Sequence, residues 1–361
     1  MKKLIAYCGL DCEKCEARKA TLADDNALRK RVAEHWSKLN GVDITADMID
    51  CEGCRIDGKK TPFCDSLCPI RQCAMSKGCA TCGDCADMET CSTLAMVTAN
   101  NYAALSNLKK EWFTIDKIDD ATYIISEYRH WEETHCYLLI GSERCLLIDT
   151  GLGICNIYDE VRKLTDKPIT AVATHIHWDH IGGHKYFPDF YAHQAELDWL
   201  SGKFPLSIET VRNMVIERCD LPEGFNVNDY EMFQGAPTKI LHGGETIDIG
   251  DRKIQVLHTS GHSPGHLCFW EQARGYVFTG DLIYKDTLFA YYPSTDPVAY
   301  LKSLEVIANL PSKRLFPAHH SLDIQPEIAI RMRDAFRELR SQGKLHHGAG
   351  TFDYGDWAVW L

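Results

Sequence analysis

The chain contains a short run of side chains that bind metals, Thr174-His175-Ile176-His177-Trp178-Asp179-His180. Imidazole nitrogens and carboxylate oxygens are donors that zinc takes at about 2.0–2.2 Å. An apolar run at 169–173 comes directly before the histidines and is typical of a buried strand, so these donors are predicted to lie on a tight loop at a sheet edge. The glycines at 182 and 183 then allow the next helix to approach closely. The pattern predicts a metal site.

Three later segments carry the same donors, and each follows a short apolar run. They are Ser260–His266, Phe278–Asp281 and Leu315–His320. If the apolar runs are strands, all these loops lie at one end of the sheets, and four separate pieces supply donors for two ions. Two cations about 3.5–4 Å apart lower the pKa of a shared water and polarise a carbonyl or phosphoryl group. The pattern therefore predicts a hydrolase.

Over about residues 115–325 these segments resemble the metallo-β-lactamase-fold hydrolases, in particular the lactonase and glyoxalase II-like branch. The resemblance implies an α/β fold, an αββα sandwich with two metal ions at one edge. Zinc is the expected metal, although iron and manganese accept similar ligands. The implied ligands are His175, His177 and His262 for the first ion, Asp179, His180 and His319 for the second, and Asp281 between them.

The same resemblance implies roles for residues around the ligands. Tyr284 matches a tyrosine that hydrogen-bonds the substrate carbonyl in lactone-hydrolysing members, with aromatic packing as the alternative. Asp149 matches a residue that braces the ligand loop. His266 is expected to support its loop, and His320 is less favoured as a ligand than His319.

We expect metal-bound hydroxide to attack a small ester, lactone or thioester, with Asp179 also handling the proton passed to the leaving group. One alternative is a redox enzyme that combines an iron-bearing histidine site with a cysteine-bound iron–sulfur cluster. His177 weighs against it, because the oxygen-reducing diiron relatives are expected to have Glu there. The other alternative is a binding or regulatory protein whose cysteine-rich part holds a partner.

The N-terminal part has a different chemistry, because it holds 12 of the 17 cysteines. Cys-x2-Cys pairs are typical of zinc knuckles, whereas the last four cysteines also approach a ferredoxin pattern. We predict bound zinc, with an iron–sulfur cluster as the less favoured choice and disulfides as a third. The predicted ligands are Cys8, Cys12, Cys15, Cys51, Cys54, Cys64, Cys68, Cys73, Cys79, Cys82, Cys85 and Cys91.

Residues 5–100 also resemble a family of cysteine-rich domains of unknown function that begin with Cys-Gly-Leu-Asp-Cys-x2-Cys, here Cys8 to Cys15. That family names no activity. Charge supports a division of the chain, since the formal charge is +1 over residues 1–110 and −13 over the remainder. We predict a cysteine-rich, metal-binding domain of helices and loops over 1–110, and a hydrolase domain over 111–361.

Composition bears on partners and compartment. The acidic second part disfavours nucleic acid, which is bound through clusters of Lys and Arg. No stretch approaches the roughly 20 apolar residues of a membrane span, and the apolar run near the start is too short for a signal peptide. We expect a cytoplasmic protein with a small-molecule substrate, and the sequence sets no oligomeric state.

The residue pattern also predicts the elements that position these side chains. Helices are expected over 11–40, 93–110, 156–164, 194–200, 297–309 and 326–342. Strands are expected over 122–126, 136–140, 145–149, 169–174, 253–259, 266–270, 276–279 and 314–316. An insertion over 192–253, which carries Trp199, Phe204, Phe225 and Phe233, is predicted to form an apolar lid, with a satellite core as the alternative.

Overall fold

The computed structural model describes residues 4–109, 112–219, 221–222 and 224–361, which divide into two compact units. One unit holds the described residues up to Thr114 together with Glu217–Pro222. The other holds Ile115–Ile216 and residues 224–361. The predicted domain boundary at 110/111 lies outside the described residues, and the domain assignment stays a prediction. None of the helices in the described ranges has both the length and the apolar character needed to cross a bilayer.

The N-terminal unit is built from short helices. They are α1 (Glu16–Leu22), α2 (Asn26–Asn40), α3 (Pro69–Ser76), α4 (Ser92–Thr98) and α5 (Tyr102–Lys109). The helix predicted over 11–40 is therefore two helices. Asp24 has a φ of 50° between them, and the Asp25 side chain caps α2 by accepting hydrogen bonds from Ala27 and Leu28. The helix predicted over 93–110 is likewise α4 and α5, and its last residue lies outside the described range.

Apolar cores in this unit are small. One cluster contains Ala17, Val32, Ala33, Ile49 and Cys51. Another has Ile70, Leu94 and Leu108 as its buried members, and partly buried cysteines pack against it. Such cores supply little stabilisation for about 100 residues, so additional cross-links are expected.

The C-terminal unit contains fifteen strands among its described residues. They are β1 (Thr114–Asp119), β2 (Thr122–Ser126), β3 (His135–Ile140), β4 (Cys145–Ile148), β5 (Ile169–Val172), β6 (Phe190–His193), β7 (Lys239–Leu241), β8 (Thr246–Asp248), β9 (Lys253–His258), β10 (Leu267–Glu271), β11 (Tyr276–Gly280), β12 (Thr287–Phe289), β13 (Arg314–Pro317), β14 (Thr351–Asp353) and β15 (Ala358–Trp360). Its helices are α6 (Ile157–Leu164), α7 (Trp178–Ile181), α8 (Ile208–Ile216), α9 (Pro297–Ala308) and α10 (Glu327–Ser341).

These strands form two large sheets and a small one. The first sheet has the order β1-β2-β3-β4-β5-β6-β7, the second β13-β11-β10-β9-β8, and the third β12-β15-β14. The facing sides of the two large sheets share one apolar core, to which Tyr137 and Val172 contribute from the first sheet and Phe269 and Phe278 from the second. Helices α9 and α10 pack on the other side of the second sheet. The predicted α/β sandwich is confirmed.

Two expectations about this unit need correction. The helix predicted over 194–200 consists of two single 3-10 turns, Gln194–Glu196 and Trp199–Ser201. The supposed insertion over 192–253 also contributes β7 and β8 to the two large sheets. These strands are three residues long and largely exposed, so they carry too little apolar alternation to be recognised from sequence.

Sheet topology places the predicted ligands at one edge. Strands β4, β5 and β6 are parallel neighbours, as are β11 and β13, and β9 runs in the same direction as β11 because β10 is antiparallel to both. The carboxyl ends of strands that run the same way meet at one edge of a sheet, where loops can converge on a ligand.

Candidate metal centre

All seven histidines and aspartates predicted as ligands meet at this edge. His175 follows β5, His262 follows β9, Asp281 follows β11 and His319 follows β13. Six of the seven side chains are buried, and His177 is partly exposed. Residues up to 144 positions apart in sequence are thus brought together from the loops after four different strands.

Three histidines form the first group. His177 Nδ1 lies 2.9 Å from His175 Nε2 and 3.1 Å from His262 Nε2. Ligand nitrogens around one tetrahedral ion at 2.0–2.1 Å are about 3.3 Å apart, so these separations suit a shared ion.

The second group consists of Asp179, His180 and His319. Oδ2 of Asp179 lies 3.2 Å from His180 Nε2 and 3.3 Å from His319 Nε2, and the two imidazole nitrogens are 3.2 Å apart. Each side chain offers one ligand atom, and the three atoms are close enough to bind one ion.

Asp281 lies between the two groups. Its Oδ1 is 3.1 Å from His180 Nε2 and 3.2 Å from His319 Nε2, whereas its Oδ2 is 3.4 Å from His262 Nε2. Each oxygen of this carboxylate therefore faces a different group of histidines, which is the geometry that a bridging ligand requires.

The unsatisfied atoms of the site fit bound cations. Asp281 Oδ1 is buried and accepts no hydrogen bond from the described residues. Leaving a buried carboxylate oxygen without a partner is costly, and a cation would remove that cost. The donor set of imidazoles and carboxylates is one that zinc and similar divalent metals accept.

Burial and charge set the protonation of the ligands. Burial lowers the pKa of His177 to about 4 and that of His262 to about 3, so both keep a free lone pair at neutral pH. Burial would raise the pKa of Asp179 and Asp281, but the neighbouring histidines hold both pKa values below the ordinary range. The carboxylates therefore stay ionised, as ligands must be.

Asp149 braces the ligand loop, as its sequence position predicts. It follows β4, has a φ of 59°, and its Oδ2 accepts a 2.9 Å hydrogen bond from His180 Nδ1. Its two oxygens also accept bonds from the backbone N–H and the hydroxyl of Thr174. These bonds hold His180 with Nε2 towards the site.

Comparison with known proteins agrees with this geometry. A family model described as "Metallo-beta-lactamase superfamily" matches residues 130–319, more than half of the chain. The chain belongs to the Metallo-beta-lactamase superfamily. Its general class is that of a metal-dependent hydrolase.

A second family model and several individual proteins are also similar to this chain. A model of a protein family of unknown function, DUF3795, matches residues 4–96. The chicken (Gallus gallus) protein "Acyl-coenzyme A thioesterase MBLAC2" is 27% identical over 228 residues, 59% of this chain and 82% of the relative. "Probable metallo-hydrolase YqgX" of Bacillus subtilis is 24% identical over 158 residues, 42% of this chain and 67% of the relative. The solved metallo-beta-lactamase family protein TTHA1429 of Thermus thermophilus aligns with a TM-score of 0.49 at 19% identity, over 63% of this chain and 82% of that one.

Two glutamates that were not predicted from sequence also order the site of this superfamily member. Glu196 is fully buried, and its carboxylate accepts 2.7 Å bonds from the backbone N–H groups of Ile176 and Gly265 and a short bond from Ser263. It thereby joins the loop of the first two histidines to the loop of His262. The signal in the sequence was weak, because Glu196 lies in a region interpreted as an ordinary helix.

Glu132 is the second such residue. Its backbone carbonyl accepts a 2.9 Å bond from His319 Nδ1, which directs His319 Nε2 towards the metals. Its side chain lines the cavity in front of the site. The turn that contains it precedes β3 and has no metal-ligand pattern, so sequence alone did not indicate it.

His266 and Gly280 support Asp281. The Asp281 backbone N–H donates a 3.1 Å bond to His266 Nε2, so His266 supports the loop, as predicted. A Cβ at Gly280, whose φ is 50°, would lie 2.6 Å from His266 Nε2, which is closer than a carbon can approach. His320 stays outside the three ligand groups found among the described residues.

Tyr284 is buried at the wall of the cavity, and its ring lies 5.6 Å from that of His319. Its hydroxyl donates a 2.6 Å bond to the Thr287 carbonyl. Donation to a substrate carbonyl therefore requires that this bond be released, and the catalytic role of Tyr284 stays a prediction.

The aromatic residues of segment 192–253 divide between two environments. Trp199 stacks on the His177 ring at 5.8 Å, and Phe204 packs edge-on against both. Phe233 instead packs against His184 and Phe190. Trp199 and Phe204 are thus positioned as the lid hypothesis expects, whereas Phe233 belongs to a satellite core.

The twelve predicted cysteine ligands lie in the N-terminal unit as free thiols. Cys8 interacts electrostatically with Cys82. Electrostatic interactions also link seven of the cysteines with one another: Cys8, Cys12, Cys15, Cys51, Cys54, Cys64 and Cys68. The other five line one cavity: Cys73, Cys79, Cys82, Cys85 and Cys91. The sequence did not indicate this grouping, because spacing along the chain does not show which pairs meet.

Proposed function

We propose that this protein is a dinuclear metal hydrolase acting on a small ester, lactone or thioester, with zinc as the first choice of metal. The observation that carries the proposal is the position of Asp281, whose two oxygens face two separate ligand groups. A carboxylate serving a single ion would leave one group of histidines without its shared ligand.

When bound, two divalent ions lower the pKa of a water and polarise the carbonyl that it attacks. The chain's own residues prepare this step. His175, His177 and His262 present neutral nitrogens. Asp149 fixes the imidazole of His180, and the Glu132 carbonyl fixes that of His319. The ionised Asp179 is placed to accept a proton and pass it to the leaving group.

The cavity in front of the site favours a neutral, partly apolar substrate. Its volume is about 240 Å³, and its described lining contains neither Lys nor Arg. Apolar and aromatic side chains form most of the wall outside the ligands: Trp131, Phe204, Pro205, Leu206, Met214, Phe289 and Tyr292. Such a wall buries an acyl group and excludes bulk water, whereas the negative charge of a phosphodiester would meet no Lys or Arg in the described lining.

Among the three substrate classes, a thioester is the first choice. Relatives named acyl-coenzyme A thioesterase match this chain over 81–82% of their own length. The acyl part of such a substrate suits the apolar cavity.

A substrate panel tests this proposal. The full-length protein, loaded with zinc, is assayed against acyl thioesters, lactones and a phosphodiester. We expect turnover of an acyl thioester or a lactone that is lost on metal removal and restored by adding zinc. Preference for the phosphodiester, or turnover that persists without metal, would contradict the proposal.

A lid formed by Trp199 and Phe204 is tested with a double variant, W199A/F204A. Because burial of each aromatic ring against an acyl chain contributes about 1–3 kcal/mol, we expect kcat/KM for longer acyl groups to fall roughly tenfold or more relative to acetyl substrates. Phe63→Ala, an exposed aromatic of the other unit, is the control. An unchanged preference for acyl-chain length would contradict the lid hypothesis.

A further inference from the structure

Five cysteines surround one cavity in the N-terminal unit: Cys73, Cys79, Cys82, Cys85 and Cys91. The cavity has a volume of about 30 Å³. Its remaining lining consists of Ile70, Ala74, Lys77, Met88, Thr93 and Leu94. Apart from the thiols, Lys77 and Thr93 are the polar members of this described lining, which contains neither a carboxylate nor an imidazole.

Separate elements position these thiols. Cys73 lies on α3, Cys79 follows it, Cys82 begins a 3-10 turn that ends before Cys85, and Cys91 precedes α4. The turn is fixed by reciprocal bonds between Thr81 and Asp84, and the backbone N–H of Cys82 donates to the Tyr7 carbonyl. The backbone thus holds the sulfurs around the cavity in the absence of disulfides.

Hydrogen-bond donors point at two of the sulfurs. Lys77 Nζ lies 3.4 Å from Cys85 Sγ, and the Leu94 backbone N–H donates to Cys91 Sγ at 3.4 Å. Thiolates are the form of cysteine that binds metals, and donors at such distances orient the sulfurs.

The thiols around this cavity also interact with one another. Cys82 interacts electrostatically with Cys91, Cys73 and Cys85, and also with Cys8. Cys79 is hydrogen-bonded to Cys85. Several thiolates at one place repel each other unless a cation is present, and thiolates select zinc and iron–sulfur clusters among biological metals.

We propose that this cavity is a metal centre in which four of the five thiolates, from Cys73, Cys79, Cys82, Cys85 and Cys91, bind one zinc ion or one iron–sulfur cluster. Its ligands differ from those of the hydrolase site, and Cys8, one of the other seven cysteines, interacts with Cys82. Zinc and iron–sulfur clusters share the requirement for four thiolates, and the experiment distinguishes them.

The test uses the full-length protein, purified without oxygen from cells supplied with zinc and iron. Metal and acid-labile sulfide are measured per chain, and each cysteine is tested for alkylation before and after chelation. We expect four of these five cysteines to resist alkylation until the metal is removed. Zinc without sulfide indicates a single ion, and iron with sulfide and visible absorption indicates a cluster.

A double variant, C82S/C85S, leaves three thiols and is expected to lose one centre while keeping the metals of the hydrolase site. The matched control is C155S, a partly exposed cysteine of the C-terminal unit, which should keep wild-type metal content. Wild-type metal content in C82S/C85S would overturn the proposal. So would rapid alkylation of these cysteines in the metal-loaded wild-type protein, or a Cys79–Cys85 disulfide in place of metal, and both results are independent of how the variant folds.

Discussion

The two units of this protein arrange their metal-ligand side chains in opposite ways. In the C-terminal unit, the ligand atoms of imidazoles and carboxylates form groups of three within 4.8 Å, on loops held by two sheets and a continuous apolar core. In the N-terminal unit, cysteines lie on turns between short helices whose cores have three to five buried members. We therefore expect the fold to build the first site by itself, whereas the proposed metal would be needed to order the second.

Removal of metal should have the largest effect, because it is expected to destabilise one unit and not the other. Treating the full-length protein with a chelator is expected to raise amide hydrogen exchange in α3 and α4 by roughly 10⁴-fold or more, because structural zinc contributes about 10–16 kcal/mol to small domains. Strands β4 and β5 should stay protected. Mass spectrometry of exchanged peptides measures the exchange rates in both units. An equal rise in exchange in the two units would contradict the expected difference between them.

The next largest effect concerns Asp281. Asp281→Asn removes the charge shared by the two ligand groups, so kcat/KM for a thioester or lactone should fall by about 10³-fold or more. Circular dichroism should show an intact fold, since the sheets do not depend on this side chain. Asp323→Asn, at an exposed position, is the control. Near wild-type activity in Asp281→Asn would contradict a bridging role.

Glu196 tests how far the protein alone arranges its ligands. Glu196→Gln keeps the size of the side chain but removes one acceptor from the three bonds that join the two loops. We expect the affinity of the hydrolase site for zinc, measured by competition with a chelator, to fall about 10–100-fold. Exposed Glu209→Gln should leave it unchanged. If Glu196→Gln has wild-type affinity, the two loops are positioned without it.

The smallest expected effect concerns Asp116 in β1, which belongs to neither set of proposed ligands. Asp116 is buried with an unpaired Oδ1, and burial raises its pKa to about 6. The folded state therefore holds its proton over the range from about pH 4 to 6 in which the unfolded state has lost it, so this group lowers stability as the pH rises through that window.

Asp116→Asn should accordingly stabilise the protein by about 1–2 kcal/mol at pH 8 and by much less at pH 4, a figure reduced for solvent screening. Urea unfolding of the variant and the wild type at both pH values measures the difference. Exposed Asp120→Asn serves as the control. The same difference at the two pH values would show that ionisation of Asp116 is not its cause.

Much of the hydrolase site followed from local sequence. Apolar runs of four to six residues end directly before His175, Asp281 and His319, and a strand followed by a loop is a local pattern that needs no knowledge of distant residues. Where the local signal is weak, prediction from sequence failed. The 3-10 turns around Glu196 were predicted as a helix, and the exposed strand β7 was not predicted.

By itself, the sequence determined which donor atoms this protein has, their spacing along each loop, and the division into a cysteine-rich and a histidine-rich part. Only the tertiary structure decided that the two oxygens of Asp281 face different groups, that Glu196 joins two loops, that the Tyr284 proton is engaged by Thr287, and that five cysteines surround one cavity. The reason is physical: spacing constrains neighbours within a loop, whereas contacts between distant loops depend on the order and direction of strands and on the packing of helices.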